Sequence, residues 1–202
     1  MLSKKMLELG TNRSVIRDLF EFAKERKAEI GEDKVFDFSI GNPSVPAPAC
    51  VREAIEEVVR DVDPVLLHGY TSAQGDAGLR QAIADYVNGQ HGTSLTADNF
   101  YITVGAAASL SIVLKALAEE GDEFIAFAPF FPEYRVFVEN TGSSLVVVNS
   151  DPDDFQIDQE ALEAAVTEHT KAIILNSPNN PSGVVIREEG IRQACETLEN
   201  KK

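Results

Sequence analysis

The sequence predicts an α/β domain, a three-layer α/β/α arrangement with a mostly parallel sheet between helices. Three observations carry that prediction. Short apolar, β-branched runs alternate with longer segments of helical spacing along most of the chain. Each run stops abruptly at Gly, Pro or Asn, where a loop takes over. The resulting strand–helix order makes successive strands parallel through right-handed crossovers.

Taken in order, residues 12–30 place Ile16, Leu19, Phe20 and Ala23 at helical spacing, with Asn12 available as a cap and Gly31 as the stop. Residues 35–40 alternate like a short strand. They run into Gly41-Asn42-Pro43-Ser44-Val45-Pro46-Ala47-Pro48, too rich in proline for regular structure. This segment separates an N-terminal arm and helix over 1–45 from a main domain over 46–202. Residues 50–61 are helical, and Asp63-Pro64 breaks the pattern. A loop of small residues from His68 to Gly75 leads into a helix through Leu79, Ile83 and Tyr86. Residues 99–104 alternate as a strand; Gly105-Ala106-Ala107-Ala108-Ser109 then opens a helix with Leu110, Val113, Leu114 and Leu117 on one face, ended by Gly121. The strand over 123–128 closes at Pro129-Phe130-Phe131-Pro132-Glu133-Tyr134, and residues 145–148 form another buried strand. After a turn at Asp151-Pro152-Asp153-Asp154, a helix starts with Asp158 as cap and Ile157 stapled to Leu162. A strand over 172–175 and a helix over 188–198 follow.

At 202 residues and 44% hydrophobic, the chain can bury a sizeable core as one domain or as part of a larger one. Eighteen basic against 33 acidic residues, a net charge of −15, leave no excess to neutralise a nucleic-acid backbone or an anionic membrane. No stretch is long enough to cross a bilayer, and no apolar signal region follows Met1-Leu2-Ser3-Lys4-Lys5. Cys50 and Cys195 suit a reducing cytoplasm better than a disulfide scaffold. His68, His91 and His169 share no ligand-like spacing, so no metal site is expected.

Three loops carry potential chemistry. The first helical amides after Gly105 lack partners at the positive end of the helix dipole, and the small side chains of Ala106 and Ala107 let an anion such as phosphate approach. Phe130 and Phe131, at a strand end, suit either a core or the floor of a flat pocket. In Asn176-Ser177-Pro178-Asn179-Asn180-Pro181-Ser182-Gly183 two prolines stiffen a polar loop and hold the Asn amides in place. From the residues alone, an ordinary turn, close helix-on-sheet packing and an aromatic core account for these loops as well as a ligand site does. All three follow strands at their C-terminal ends, where open α/β sheets bind ligands.

The N-x-P-x-N-P-[S/T]-G pattern of the last loop resembles the signature of fold-type I aminotransferases, which use pyridoxal 5'-phosphate. The resemblance implies that Asn180 donates a hydrogen bond to the phenolic oxygen of the cofactor ring. Phe131, in P-x-[aromatic]-x-x-Y, would stack on the pyridine face, and Ala106 and Ala107 would hold the phosphate through their N–H groups, with Ser109 the candidate hydroxyl. Tyr70, in Y-x-x-x-x-G-x-x-x-L-R-x-A-I-A, resembles the tyrosine that reaches the neighbouring subunit's cofactor phosphate, and Gly41, in G-x-P-x-x-P-x-P, the glycine whose N–H meets the substrate carboxylate. The resemblance further implies a homodimer acting on an amino acid and a 2-oxo acid. The bonds Ala128-Pro129 and Asn180-Pro181 are expected cis, and Asn180, Phe131 and the amides of Ala106 and Ala107 are expected to line one pocket.

In that family the Schiff-base lysine and the acidic partner of the ring nitrogen follow the asparagine loop. Lys115 and Lys171 stand elsewhere in the pattern, so the catalytic lysine is expected beyond residue 202, the large domain incomplete at its C-terminus and this chain inactive alone. Two other readings share these loops: another fold-type I enzyme (a lyase, synthase or decarboxylase) and a non-catalytic aminotransferase-like module.

Overall fold

An uninterrupted apolar run needs cover on both faces, and β1 (Glu123–Ala128) obtains it as the central strand of a parallel sheet ordered β2-β1-β3, with β2 Ser144–Asn149 and β3 Thr170–Ile174. In this computed structural model, described over residues 2, 4–11, 15–41 and 43–200, Phe124, Ile125 and Ala126 are fully buried. Alternation sends Ile125 and Phe127 to one face, where they pack with Leu162 and Val166 around α8 (Gln159–Ala165) and Ala194 of α9 (Glu188–Asn200). Phe124 and Ala126 face the other way, onto Leu114 of α6 (Ala106–Leu117) and Tyr134 and Val138 of α7 (Glu133–Glu139). The three-layer α/β/α expectation holds.

The chain forms two compact units, residues 1–70 and 71–202; the division expected at residue 45 follows proline content, a different criterion. The first unit holds α1 (Lys4–Thr11), α2 (Val15–Ile30), α3 (Ala49–Asp61) and α4 (Pro64–His68). Gly31 stops α2 with φ +105°, its N–H donating to Lys27 O. The expected cap at Asn12 lies outside the described residues, as does Asn42 of the proline-rich segment. Asp63-Pro64, read as a break, instead starts α4: the Asp63 carboxylate accepts from Val65 N and Leu66 N, and Pro64 occupies the first turn, where its missing N–H costs nothing.

Two expected strands are absent from the sheet. Residues 35–40 have no strand partner among the described residues; Phe36 and Phe38 are exposed, and Asp37 turns its carboxylate onto Ser39 N and Oγ. Alternation there marks an extended segment, but a strand needs a ladder. Residues 99–104 likewise run extended after a 3₁₀ turn, Ala97–Asn99, with Ile102 N donating to Gln74 O at 2.9 Å in place of a ladder. Three helices went unforeseen: α1, α4 and α7, the last beginning right after Pro132. The helix expected through Leu79 and Tyr86 forms as α5 (Ala77–His91), capped by Asp76, and α8 is capped, as expected, by Asp158, whose carboxylate accepts from Ala161 N at 3.0 Å. Ala128-Pro129 and Asn180-Pro181 are cis, as expected, and so is Ser177-Pro178.

Candidate functional site

Because β1 and β3 are parallel neighbours, the loops that leave them share one sheet edge. A hydrogen bond joins them: Asn179 Nδ2 donates to Pro129 O at 3.0 Å and also to Ser182 Oγ at 2.8 Å. The asparagine loop is closed from within by Asn179 N to Val184 O and Gly183 N to Asn179 O. Asn176, with its amide oriented as its neighbours require, donates to Pro178 O and accepts from Asn180 N at 2.9 Å. Asn180 itself is exposed, and its carboxamide makes no hydrogen bond within the described residues. The loop is therefore stiff, with one amide left free at its tip.

On the neighbouring loop, Tyr134 is the packing centre. Phe130 stacks on it at 6.2 Å between centroids and Phe131 meets it edge-on at 5.7 Å, leaving Phe131 half-buried. Burial raises the Tyr134 pKa, so its hydroxyl stays protonated. Phe130 and Tyr134, with Asn176, Asn179, Ser150 and Phe155, line a cavity of about 20 Å³, room for a single water. Phe131 and Asn180 are not part of that lining.

Helix α6 supplies the third part. It packs on the sheet through Leu110 and Leu114 and joins β1 through the short link 118–122, so it runs antiparallel to the strand. A helix of this length spans roughly 18 Å and the strand roughly 20 Å, which returns the first turn of α6 to the level where β1 ends. There Gly105, at φ +99°, offers no side-chain cap. The amides of Ala106, Ala107 and Ala108 have no partner among the described residues, and Ala106 and Ala107 are exposed. The Ser109 hydroxyl is engaged with Thr103 Oγ1 at 2.6 Å.

Gly41 and Tyr70 lie in the other unit. Gly41 is exposed with open space around its Cα, and Tyr70 is fully exposed. Sequence reasoning missed Asn179 as the link between loops, and it missed Arg80, buried at 6% exposure, which donates to Ala97 O at 2.7 Å and to Gly75 O. The Leu-Arg pair opening α5 was the available signal. Gly75, at φ +94°, packs where a Cβ would stand 2.6 Å from Ile102, just ahead of the Gly105 turn. No group of three or more His, Cys, Asp or Glu among the described residues could hold a metal ion, and no described helix is long and apolar enough to cross a membrane.

Comparison with known proteins identifies the family and the fold. Residues 33–202 match the family aminotransferase class I and II. A solved aminotransferase from Eubacterium rectale is 54% identical with a TM-score of 0.96, covering 100% of this chain and 51% of that one. A (5-formylfuran-3-yl)methyl phosphate transaminase of Methanocaldococcus jannaschii is 30% identical over 98% of this chain and 50% of its own length. An aspartate aminotransferase of Thermotoga maritima is 32% identical over 94% of this chain and 48% of its own length. The chain spans about half the length of the curated relatives it matches. The family depends on pyridoxal 5'-phosphate, and the donor set fits that group: partnerless amides suit its phosphate, a free carboxamide its phenolic oxygen, and a half-buried ring its flat face. The chain belongs to the class I and II aminotransferases of fold type I.

Proposed function

We propose that this chain forms the cofactor-holding portion of a pyridoxal-phosphate enzyme that moves an amino group between an amino acid and a 2-oxo acid. The observation that carries this reading is the Asn179–Pro129 hydrogen bond, which draws two loops to one sheet edge, level with the partnerless amides of α6. Ala106 and Ala107 hold the phosphate through backbone N–H groups, where the helix dipole favours a dianion. Asn180 donates to the phenolic oxygen, and Phe131 covers one face of the ring and excludes water from it. Bound there, the cofactor supplies an electron sink for bond breaking at the substrate α-carbon. Gly41 offers its N–H to the substrate carboxylate. Tyr70 completes the phosphate site of a second subunit, so the working assembly is a homodimer. The two cysteines, exposed and unpaired, favour a cytoplasmic setting.

In the unit 71–202 neither described lysine stands at this edge. Lys115 lies in the second half of α6, and Lys171 is the second residue of β3, at the opposite end, 3.3 Å from Asp122. The 202-residue chain alone is expected to bind the cofactor weakly and to give no turnover. Titration with pyridoxal phosphate should shift the amide NMR signals of Ala106, Ala107 and Asn180, while borohydride reduction and peptide mapping should find no stoichiometrically labelled lysine. Shifts confined to other residues, or one labelled lysine together with turnover, would refute the reading.

A further inference from the structure

The turn after β2 contains the only non-glycine residue with positive φ among the described residues: Phe155, at +56°. A phenylalanine adopts the left-handed region at a cost of about 1 kcal/mol or more, so the surroundings must impose it. They do so locally. The Asp151 carboxylate accepts from Asp153 N and Asp154 N, Phe155 N donates to Asp151 O at 2.9 Å, and the Asp154 carboxylate accepts from Gln156 N at 3.1 Å. The consequence is where the next side chain goes.

Gln156 spends both ends of its carboxamide on the far arm of the asparagine loop. Its Nε2 donates to Val185 O at 3.2 Å and its Oε1 accepts from Arg187 N at 2.9 Å, so the side chain replaces one rung of a ladder. The Arg187 guanidinium returns to Asp154 Oδ2 at 2.8 Å and locks the same junction. One residue before Val185, Val184 O accepts from Asn179 N, and Ser177 Oγ accepts from Ile186 N at 3.0 Å. Gln156 thus fixes the arm against which the four-residue tip bearing Asn180 closes.

We propose that Gln156, aimed by the left-handed Phe155, is a positioning residue that sets the place of Asn180 at the sheet edge. It touches neither cofactor nor substrate and acts through Val185 and Arg187. The functional half of the proposal rests on Asn180 being the ring contact; the mechanical half does not. The two are separable in the 202-residue chain. Gln156→Met keeps the volume and removes both hydrogen bonds, so amide exchange at Asn179 and Gly183 should quicken about tenfold or more, with the amides of β1 unchanged. Phe155→Gly, which accepts the same φ, should leave that protection near wild type, whereas Phe155→Val should lose it. Unchanged exchange in Gln156→Met, or equal acceleration throughout β1, overturns the proposal. Titration of both proteins with pyridoxal phosphate tests the functional half: the shift at Asn180 should weaken in Gln156→Met while those at Ala106 and Ala107 persist. A wild-type chain with no shift at any of the three overturns the cofactor reading and leaves the exchange result to decide the clip.

Discussion

The two units carry similar amounts of apolar periodicity and do very different things with it. In residues 71–202 the stripes of α6, α7, α8 and α9 meet the two faces of one sheet, and Phe124, Ile125, Leu162 and Val138 are fully buried. In residues 1–70, Ala23 is the one buried apolar residue among those described. Helix α3 carries Val51, Ile55, Val58 and Val59 on one stripe, and all are exposed. An apolar stripe states that a helix needs a partner. It becomes stability only where the chain supplies one, and the sheet of the second unit is that partner.

The largest expected effect contrasts the two directly. Leu162→Ala empties a fully buried site between α8 and β1 and should cost about 2–5 kcal/mol by urea unfolding. Ile55→Ala, at a residue 60% exposed, should fall within about 0.5 kcal/mol. A comparable cost at both positions would break the contrast and show that the α3 face is covered in solution.

Next come the helix starts. Asp158→Ala removes the side chain that accepts from Ala161 N and should cost about 1 kcal/mol. Helix α6 has no such cap to lose. Gly105→Ala should instead destabilise through its φ of +99°, by about 1 kcal/mol or more. Thermal denaturation followed by circular dichroism separates the two origins: at ψ 170° Gly105 lies where essentially only glycine fits, so Gly105→Asn should lose as much as Gly105→Ala, whereas Asp158→Asn, which can still cap, should recover part of the first loss.

How far this was legible in the sequence follows the same division. Strands β1 to β3, helices α6, α8 and α9 and the Asp158 cap could be read because each apolar run met a complementary layer close by in the chain; α7 was not among them. Residues 35–40 and 99–104 alternate just as well, yet pair with no described strand; alternation records a two-faced segment and says nothing of its neighbour. At the site, the asparagine loop, the Gly105 turn and Phe131 were visible as residue patterns. Asn179's bond to Pro129 and the Gln156 clip were not, since both join segments far apart in sequence and depend on strand order β2-β1-β3.

A smaller effect belongs to pH. A backbone hydrogen bond from Gln156, and then the Arg187 guanidinium, hold Asp154 below the ordinary carboxylate range. A depressed carboxylate pKa contributes stability that is present above the unfolded value near 3.8 and lost as pH falls through the folded one. Exchange at Asn179 and Gly183, corrected for intrinsic rates, should therefore rise on acidification below the carboxylate range before the amides of β1 respond. In Asp154→Asn that acid-dependent step should vanish. Its persistence would assign the titration to another carboxylate.

The smallest expected effect on the chain itself is at Tyr70. Its side chain is fully exposed and packs on nothing in its unit, so Tyr70→Phe should leave the urea midpoint unchanged. If Tyr70 serves a neighbouring subunit's phosphate, the loss appears only in the assembled enzyme, as weaker cofactor retention. Mixing then gives a sharper readout than either homodimer. Heterodimers pairing a Tyr70→Phe subunit with one disabled at Asn180 should concentrate both defects in one site and leave the other intact, because each Tyr70 works across the interface. If Tyr70 acted within its own subunit, both sites of the heterodimer would be impaired. Sedimentation of a fully active monomer would exclude the trans role outright, and with it the homodimer.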